Sequence, residues 1–341
     1  MLTNEIVKSR GIERIVHFHC DHWEMDWWAA NRTRESLQPY LEAMDPSRLS
    51  AFVRAPVTIS LDTNSYTDRM VFGWSGHYDV FRTALAAMRS MDVDIHLHVH
   101  HESWTKSDWP ERRCPEYMRP IHDYACETQK FDDIRLLKKL AMGRTFLRLE
   151  NNWGFVHGCW ALQGGDPEVC QISNELRLLH SEGCLGDFSF PAGRRHCDPK
   201  IKIPYTVDLI DAIRGYDLQA ARPLPTDHPN AWDGDRFLIW SCDRKSGWGS
   251  SLDYKSTAIR MAIEDTQTAA RYLETDVPVI GGTAYIKTHA HSMDQFYWTA
   301  GGISPLAYGE KTILGEFRRI ADEAGIPYEP KTVNEVVGEL R

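Results

Sequence analysis

Asp94-Ile95-His96-Leu97-His98-Val99-His100-His101-Glu102 places four histidines within six residues, interleaved with branched apolar side chains. The spacing is that of a β-strand, on which alternate side chains point the same way, so His96, His98 and His100 share one face. Three imidazoles on one face are an unlikely core filling and a natural way to hold a transition metal. His101 falls on the opposite face, where a supporting role is the alternative to binding.

Working outward, the chain alternates strands with helices. Strands are expected at 12–20, 57–61, 93–99, 154–162, 185–190, 236–241 and 277–289. Helices are expected at 33–44, 77–91, 131–149, 173–182 and 256–273, with two more, 312–324 and 333–340, closing the chain. Strand–helix alternation implies parallel pairing through right-handed crossovers. Six or seven such units point to a barrel rather than an open doubly wound sheet. No G-x-G-x-x-G fingerprint follows the first strand, which counts against a dinucleotide domain. The whole chain, 1–341, reads as one barrel domain with a long insertion at about 191–222 and C-terminal helices at about 310–341. Insertions of that length often shape a substrate site.

Composition narrows the class. Of 341 residues, 42% are hydrophobic and 26% charged, as in a globular protein with a large core. The formal net charge of -9 comes with no basic block, which argues against a nucleic-acid partner. No signal peptide and no 18-residue apolar span is visible, so the expectation is a cytoplasmic chain with no membrane span. The 8 cysteines include no C-x-x-C pair, which argues against a structural zinc knot and leaves free, mostly buried thiols as the expectation. Cys20 and Cys159 fall inside candidate site strands, where a nucleophilic role is the minority reading. Among the 12 tryptophans, Trp23, Trp104, Trp109 and Trp160 lie closest to the histidine clusters. Flat rings there suit a carbohydrate face, although core packing is the commoner use of any one tryptophan. Nothing in the sequence sets an oligomeric state.

Catalytic groups of parallel barrels sit at the C-terminal strand ends, and the polar clusters fall there. The first strand ends His17-Phe18-His19-Cys20-Asp21-His22-Trp23-Glu24, and the third carries the histidine run. The fourth holds His157, the fifth Asp187, and the last ends Lys287-Thr288-His289-Ala290-His291. A lone buried histidine is usually a satisfied core residue; five strand ends bearing His or Asp point to a shared site. Imidazoles plus a carboxylate leave positions open on a divalent metal, zinc being the expected ion, and acidify its bound water. Neighbouring imidazoles or carboxylates then move the protons.

These segments resemble the polysaccharide deacetylase (NodB-homology) family, in its branch associated with surface polysaccharide synthesis. The resemblance covers roughly residues 10–300. It is carried by Phe18-His19-Cys20-Asp21-His22-Trp23, by Ile95 to His101, and by Ile286-Lys287-Thr288-His289-Ala290-His291. Phe155-Val156-His157-Gly158-Cys159-Trp160-Ala161-Leu162, Asn174-Glu175-Leu176 and Gly186-Asp187-Phe188-Ser189-Phe190-Pro191 are similar to the same branch. It implies a distorted (β/α)7 TIM-like barrel of the glycoside hydrolase/deacetylase type, one divalent metal, and hydrolysis of an N- or O-acetyl group on a carbohydrate. Asp21, His98 and His100 match metal ligands, His289 or His291 the general acid, and His19 or Asp21 the base. Trp23, His157, Trp160 and Asp187 are the implied substrate-binding residues. The chain departs from the family in offering one acid on the first strand. Four residues after His98 it carries Glu102, so His100 or His101 substitutes for the second histidine.

Two rival readings use the same residues. An amidohydrolase or histidinol-phosphatase-like hydrolase would draw on His17-Phe18-His19, His96-Leu97-His98, His157, His289 and Asp294 for two metals. A carbohydrate-binding barrel without catalysis would explain the missing second acid beside Asp21.

Overall fold

A computed structural model describes residues 3–23, 49–54, 57–58, 70–71, 85–86, 89–90, 93–99, 133–157, 162–164, 172–189, 204–209, 222–224, 232, 236–240, 251–253, 266–275, 277–290 and 313–341. Its strands are β1 (Arg14–Trp23), β2 (Leu49–Arg54), β3 (Val57–Thr58), β4 (Met70–Val71), β5 (Asp94–Val99), β6 (Trp153–His157) and β7 (Cys184–Asp187). There follow β8 (Tyr205–Val207), β9 (Arg222–Pro223), β10 (Phe237–Ile239), β11 (Ser251–Asp253), β12 (Val279–Ile280), β13 (Thr283–Ala290) and β14 (Tyr328–Lys331). The helices are α1 (Thr3–Ser9), α2 (Asp133–Leu147), α3 (Glu175–Ser181), α4 (Thr266–Thr275), α5 (Ile313–Ala324) and α6 (Val333–Leu340).

The fold is mixed α/β, organised by one mostly parallel sheet. Its strands run in the order β11-β13-β1-β2-β5-β6-β7-β10-β8-β9. From β11 to β10 every neighbouring pair is parallel; β8 and β9 add antiparallel strands at the β10 edge. From β1 through β2, β5 and β6 to β7 the strands follow chain order with crossovers between them, and β13 returns to pair with β1. Among the described residues, no ladder joins β10 to β11 or β13.

The sheet nevertheless coils far enough for its two ends to share a core. Val16, Phe18 and Cys20 of β1, Val156 of β6, Leu238 of β10, Trp240 just beyond it, and Tyr285 of β13 belong to one buried cluster. The Phe18 and Trp240 rings meet edge-to-face at 4.8 Å, and Trp240 meets Tyr285 at 5.9 Å. The opposite face packs Ile15, Ala284 and Ile286 against α1, α4 and α5. Strands buried on both faces read as near-continuous apolar runs, which is why β13 shows little alternation.

Helix α6 closes the enclosed face. Val333, Val336, Val337 and Leu340 form an i, i+3, i+4, i+7 stripe in that core. Thr332 caps the helix in a reciprocal box with Glu335. The Val333 N–H donates to Ser50 Oγ (2.7 Å) and the Asn334 N–H to Asp94 Oδ2 (3.0 Å), so β2 and β5 hold its first turn.

Several boundaries differ from expectation. The sheet's second strand is Leu49–Arg54; of the 57–61 strand, residues 57–58 pair instead with β4 in a separate two-stranded ladder. The polar Ser50 hides that strand in the sequence, yet its hydroxyl is buried because it serves Asp94 and α6. β1 runs to Trp23, so Asp21 and His22 lie within the strand rather than after it. The 277–289 strand splits into β12 and β13 at Gly281-Gly282, both with positive φ, the requirement of a tight hairpin turn. The 154–162 strand ends at His157, and Leu162 opens a single 3-10 turn. Helix α2, and helices α5 and α6 within one residue, match expectation. The 33–44 helix lies outside the described residues. Of the 77–91 helix only residues 85–86 and 89–90 are described, and they are helical. Within the 191–222 insertion, β8 and the first residue of β9 are seen.

Candidate functional site

The histidine strand sorts its residues by face. Leu97 packs toward α2, close enough that a Cβ on Gly143 would sit 2.6 Å from its Cδ1. His96 and His98 stand on the other, enclosed face, where Val156, in register with His98, joins the buried core. Both rings are buried, but their nitrogens are used differently.

His98 Nδ1 lies 2.8 Å from the Val156 carbonyl oxygen. A carbonyl only accepts, so Nδ1 carries the proton that it donates there. A backbone carbonyl on one nitrogen, fixing the other for coordination, is the common arrangement of metal-binding histidines. His96 is committed to the protein instead. Its Nδ1 accepts the Gly154 N–H at 2.8 Å, and its Nε2 faces Asp94 Oδ2 at 2.9 Å. Gly154 is free to donate this way at the register shift between Trp153 and Gly154, where the β6–β7 ladder slips by one residue. Burial raises the Asp94 carboxyl, but the His96 imidazole beside it, with donors from Asn334 and Ser50, holds it below its ordinary value.

A second polar group lies between the sheet and α3. His157 Nε2 stands 3.5 Å from Glu175 Oε1, with both side chains fully buried. The other Glu175 oxygen accepts the Gln163 N–H at 2.6 Å. Gln163 has a left-handed backbone (φ 54°). Its side chain accepts from the Leu176 N–H (2.8 Å) and donates to the Ser173 carbonyl (2.5 Å), satisfying the start of α3. Asp187 Oδ1 accepts from the Ser189 N–H (3.0 Å) and hydroxyl, and Ser189 Oγ accepts the His157 N–H at 2.7 Å. The structure thus brings His157 and Asp187 into one network through Ser189, together with Glu175.

On β1 and β13 the backbone is described while the site side chains are not. Cys20 is in register with His289, and Asp21 with Ala290 and Ala51, so these positions stand side by side on adjacent strands. The side chains of His19, Asp21, Trp23 and His289 lie outside the described residues, as do His100, His101, Glu102, Trp104, Trp109, Cys159, Trp160, His291 and Asp294 altogether. Among the described residues, no group of three His, Cys, Asp or Glu side chains converges as a metal site, and no helix is long and apolar enough to cross a membrane. Cys20 and Cys184 are buried free thiols, and burial pushes the Cys184 thiol well up.

Sequence reasoning left Asp94, Gln163, Ser189 and Lys287 out of the candidate site. The available signal was a charged or polar residue inside an otherwise apolar strand, as in Tyr285-Ile286-Lys287. No protein-family model matches the chain, and no characterised protein matches its sequence.

Proposed function

We propose that this chain is a metal-dependent hydrolase that removes an acetyl group from a carbohydrate. In this reading the coiled sheet is a distorted (β/α)7-type barrel, with the site at the C-terminal ends of its parallel strands. The observation that carries the reading is the orientation of His98, a buried imidazole on the enclosed face with Nδ1 tied to the Val156 carbonyl. That donor arrangement fits a divalent metal. The residues that would hold it are His98, Asp21 and His100.

A bound divalent metal, zinc being the expected ion, supplies an acidified water and polarises the acyl oxygen. His19 accepts the proton of the attacking water, and His289 or His291 donates one to the departing amine or alkoxide. Trp23 and Trp160 offer ring faces to the sugar, while His157 and Asp187, buried with Ser189 and Glu175 beneath α3, support the strand ends rather than touch the sugar. The surface polysaccharides of a cell are the fitting substrate class, and the cytoplasm the fitting location. The two-metal rival asks His96 to act as a ligand, and both of its ring nitrogens face protein groups.

Acetate release from N-acetylated and O-acetylated oligosaccharides tests this function. Release should stop on chelation and return with added zinc. Release that survives complete metal removal, or none from metal-loaded protein across both substrate sets, overturns it.

A further inference from the structure

Lys287 is the fully buried lysine of β13. Its ammonium donates to the carbonyls of Trp240 (2.7 Å), Ser189 (3.1 Å) and Phe188. An ammonium has three donors, and here three carbonyls take them. Burying a charge is costly unless polar partners surround it, and here the three carbonyls supply those partners while the lysine joins the segments that carry them.

What it holds is the part of the sheet that the ladder does not. Phe188 and Ser189 follow β7, and Trp240 follows β10. Along the sheet these strands are separated from β13 by β1, β2, β5 and β6. Around the coil they face β13 directly, as the Phe18, Trp240 and Tyr285 rings show one layer below. Among the described residues no backbone ladder crosses this seam. Lys287 crosses it at the C-terminal strand ends, two residues before His289 and beside the Asp187–Ser189 network.

We infer that Lys287 is the positioning residue of the site: its ammonium closes the seam and sets the distance between the ends of β7 and β10 and the end of β13. The catalytic half of this inference rests on the hydrolase reading above; the structural half does not. Held by the three carbonyls, the Lys287 amine acts through the strands it ties rather than on substrate.

The test is Lys287→Met, an apolar side chain of similar length, followed by hydrogen exchange and steady-state kinetics. Exchange should rise about tenfold at residues 186–190 and 237–241 while β5 and α6 keep wild-type protection. A misplacement near 1 Å costs about a hundredfold in rate, so kcat should fall by that order with KM little changed. Should Lys287→Met not fold, Lys287→Arg carries the test. Its wider planar group keeps the charge but cannot converge on the same three oxygens, so the same local rise in exchange is expected. Unchanged exchange at both strand ends, or a uniform rise throughout the chain, overturns the clamp. A local rise with wild-type kcat overturns the positioning role. If wild-type protein releases no acetate, the hydrolase reading fails while exchange still decides the clamp.

Discussion

His96 and His98 are two residues apart on one strand, and their rings serve opposite ends. His96 spends Nδ1 on a backbone N–H and turns Nε2 to Asp94, so it is a structural hinge between β5, β6 and α6. His98 spends Nδ1 on the Val156 carbonyl. The sequence presents both as equal members of a run, because the distinction lies in which backbone group of β6 each ring meets. His17 shows a third use. It is fully buried on the helix face, 6.3 Å from the Tyr328 ring in a stacked arrangement. Burial holds its imidazole down to about 3 from the ordinary 6.5. The folded protein therefore keeps His17 neutral where the unfolded chain protonates it. Its contribution is complete above pH 6.5 and is lost as pH falls toward 3, by about 1.4 kcal/mol per pH unit. In urea titrations across that window, His17→Leu should flatten the loss of stability on acidification; a slope equal to wild type would contradict the assignment.

At the scale of elements, the close approach of β7 to β10 depends on Gly186. A Cβ there would lie 2.6 Å from the Leu238 carbonyl oxygen and 2.8 Å from its Cβ. Gly186→Ala should destabilise the protein by about 1–3 kcal/mol, as overpacking does. Gly338 is the control: in α6 nothing lies within 4 Å of its added Cβ. Gly338→Ala should stabilise by roughly 0.5–1 kcal/mol by removing helix-interior glycine. Thermal melts of the two variants should move in opposite directions; shifts of the same sign would contradict the packing described. Periodicity made α2, α5, α6 and β5 legible because each carries its own repeat. It did not reveal β2 or β14, short strands whose place is set by partners far along the chain: Ser50 by Asp94 and α6, and β14 by residues 15–18 of β1. Nor did it reveal Gln163, whose role depends on a left-handed backbone and on the start of α3.

For the whole molecule, strand–helix alternation carried the parallel order of the sheet, because crossovers leave little choice of neighbour. It did not carry the seam, where β10 and β13 meet through Lys287 and aromatic rings rather than through a ladder. The candidate site was legible as a set of strand ends. Its division was not: His98 faces the enclosed core, whereas His157 and Asp187 join Glu175 and Ser189 beneath α3. Strand parity alone could not assign these faces, because the β6–β7 ladder slips at Trp153/Gly154. Metal content is the most direct test of the central claim, measured by elemental analysis of purified wild-type protein beside His98→Ala. About one divalent metal per chain is expected in the wild type and its loss in the variant, as for a single-metal hydrolase. Equal metal in both proteins, or acetate release by a wild type that holds none, would contradict it.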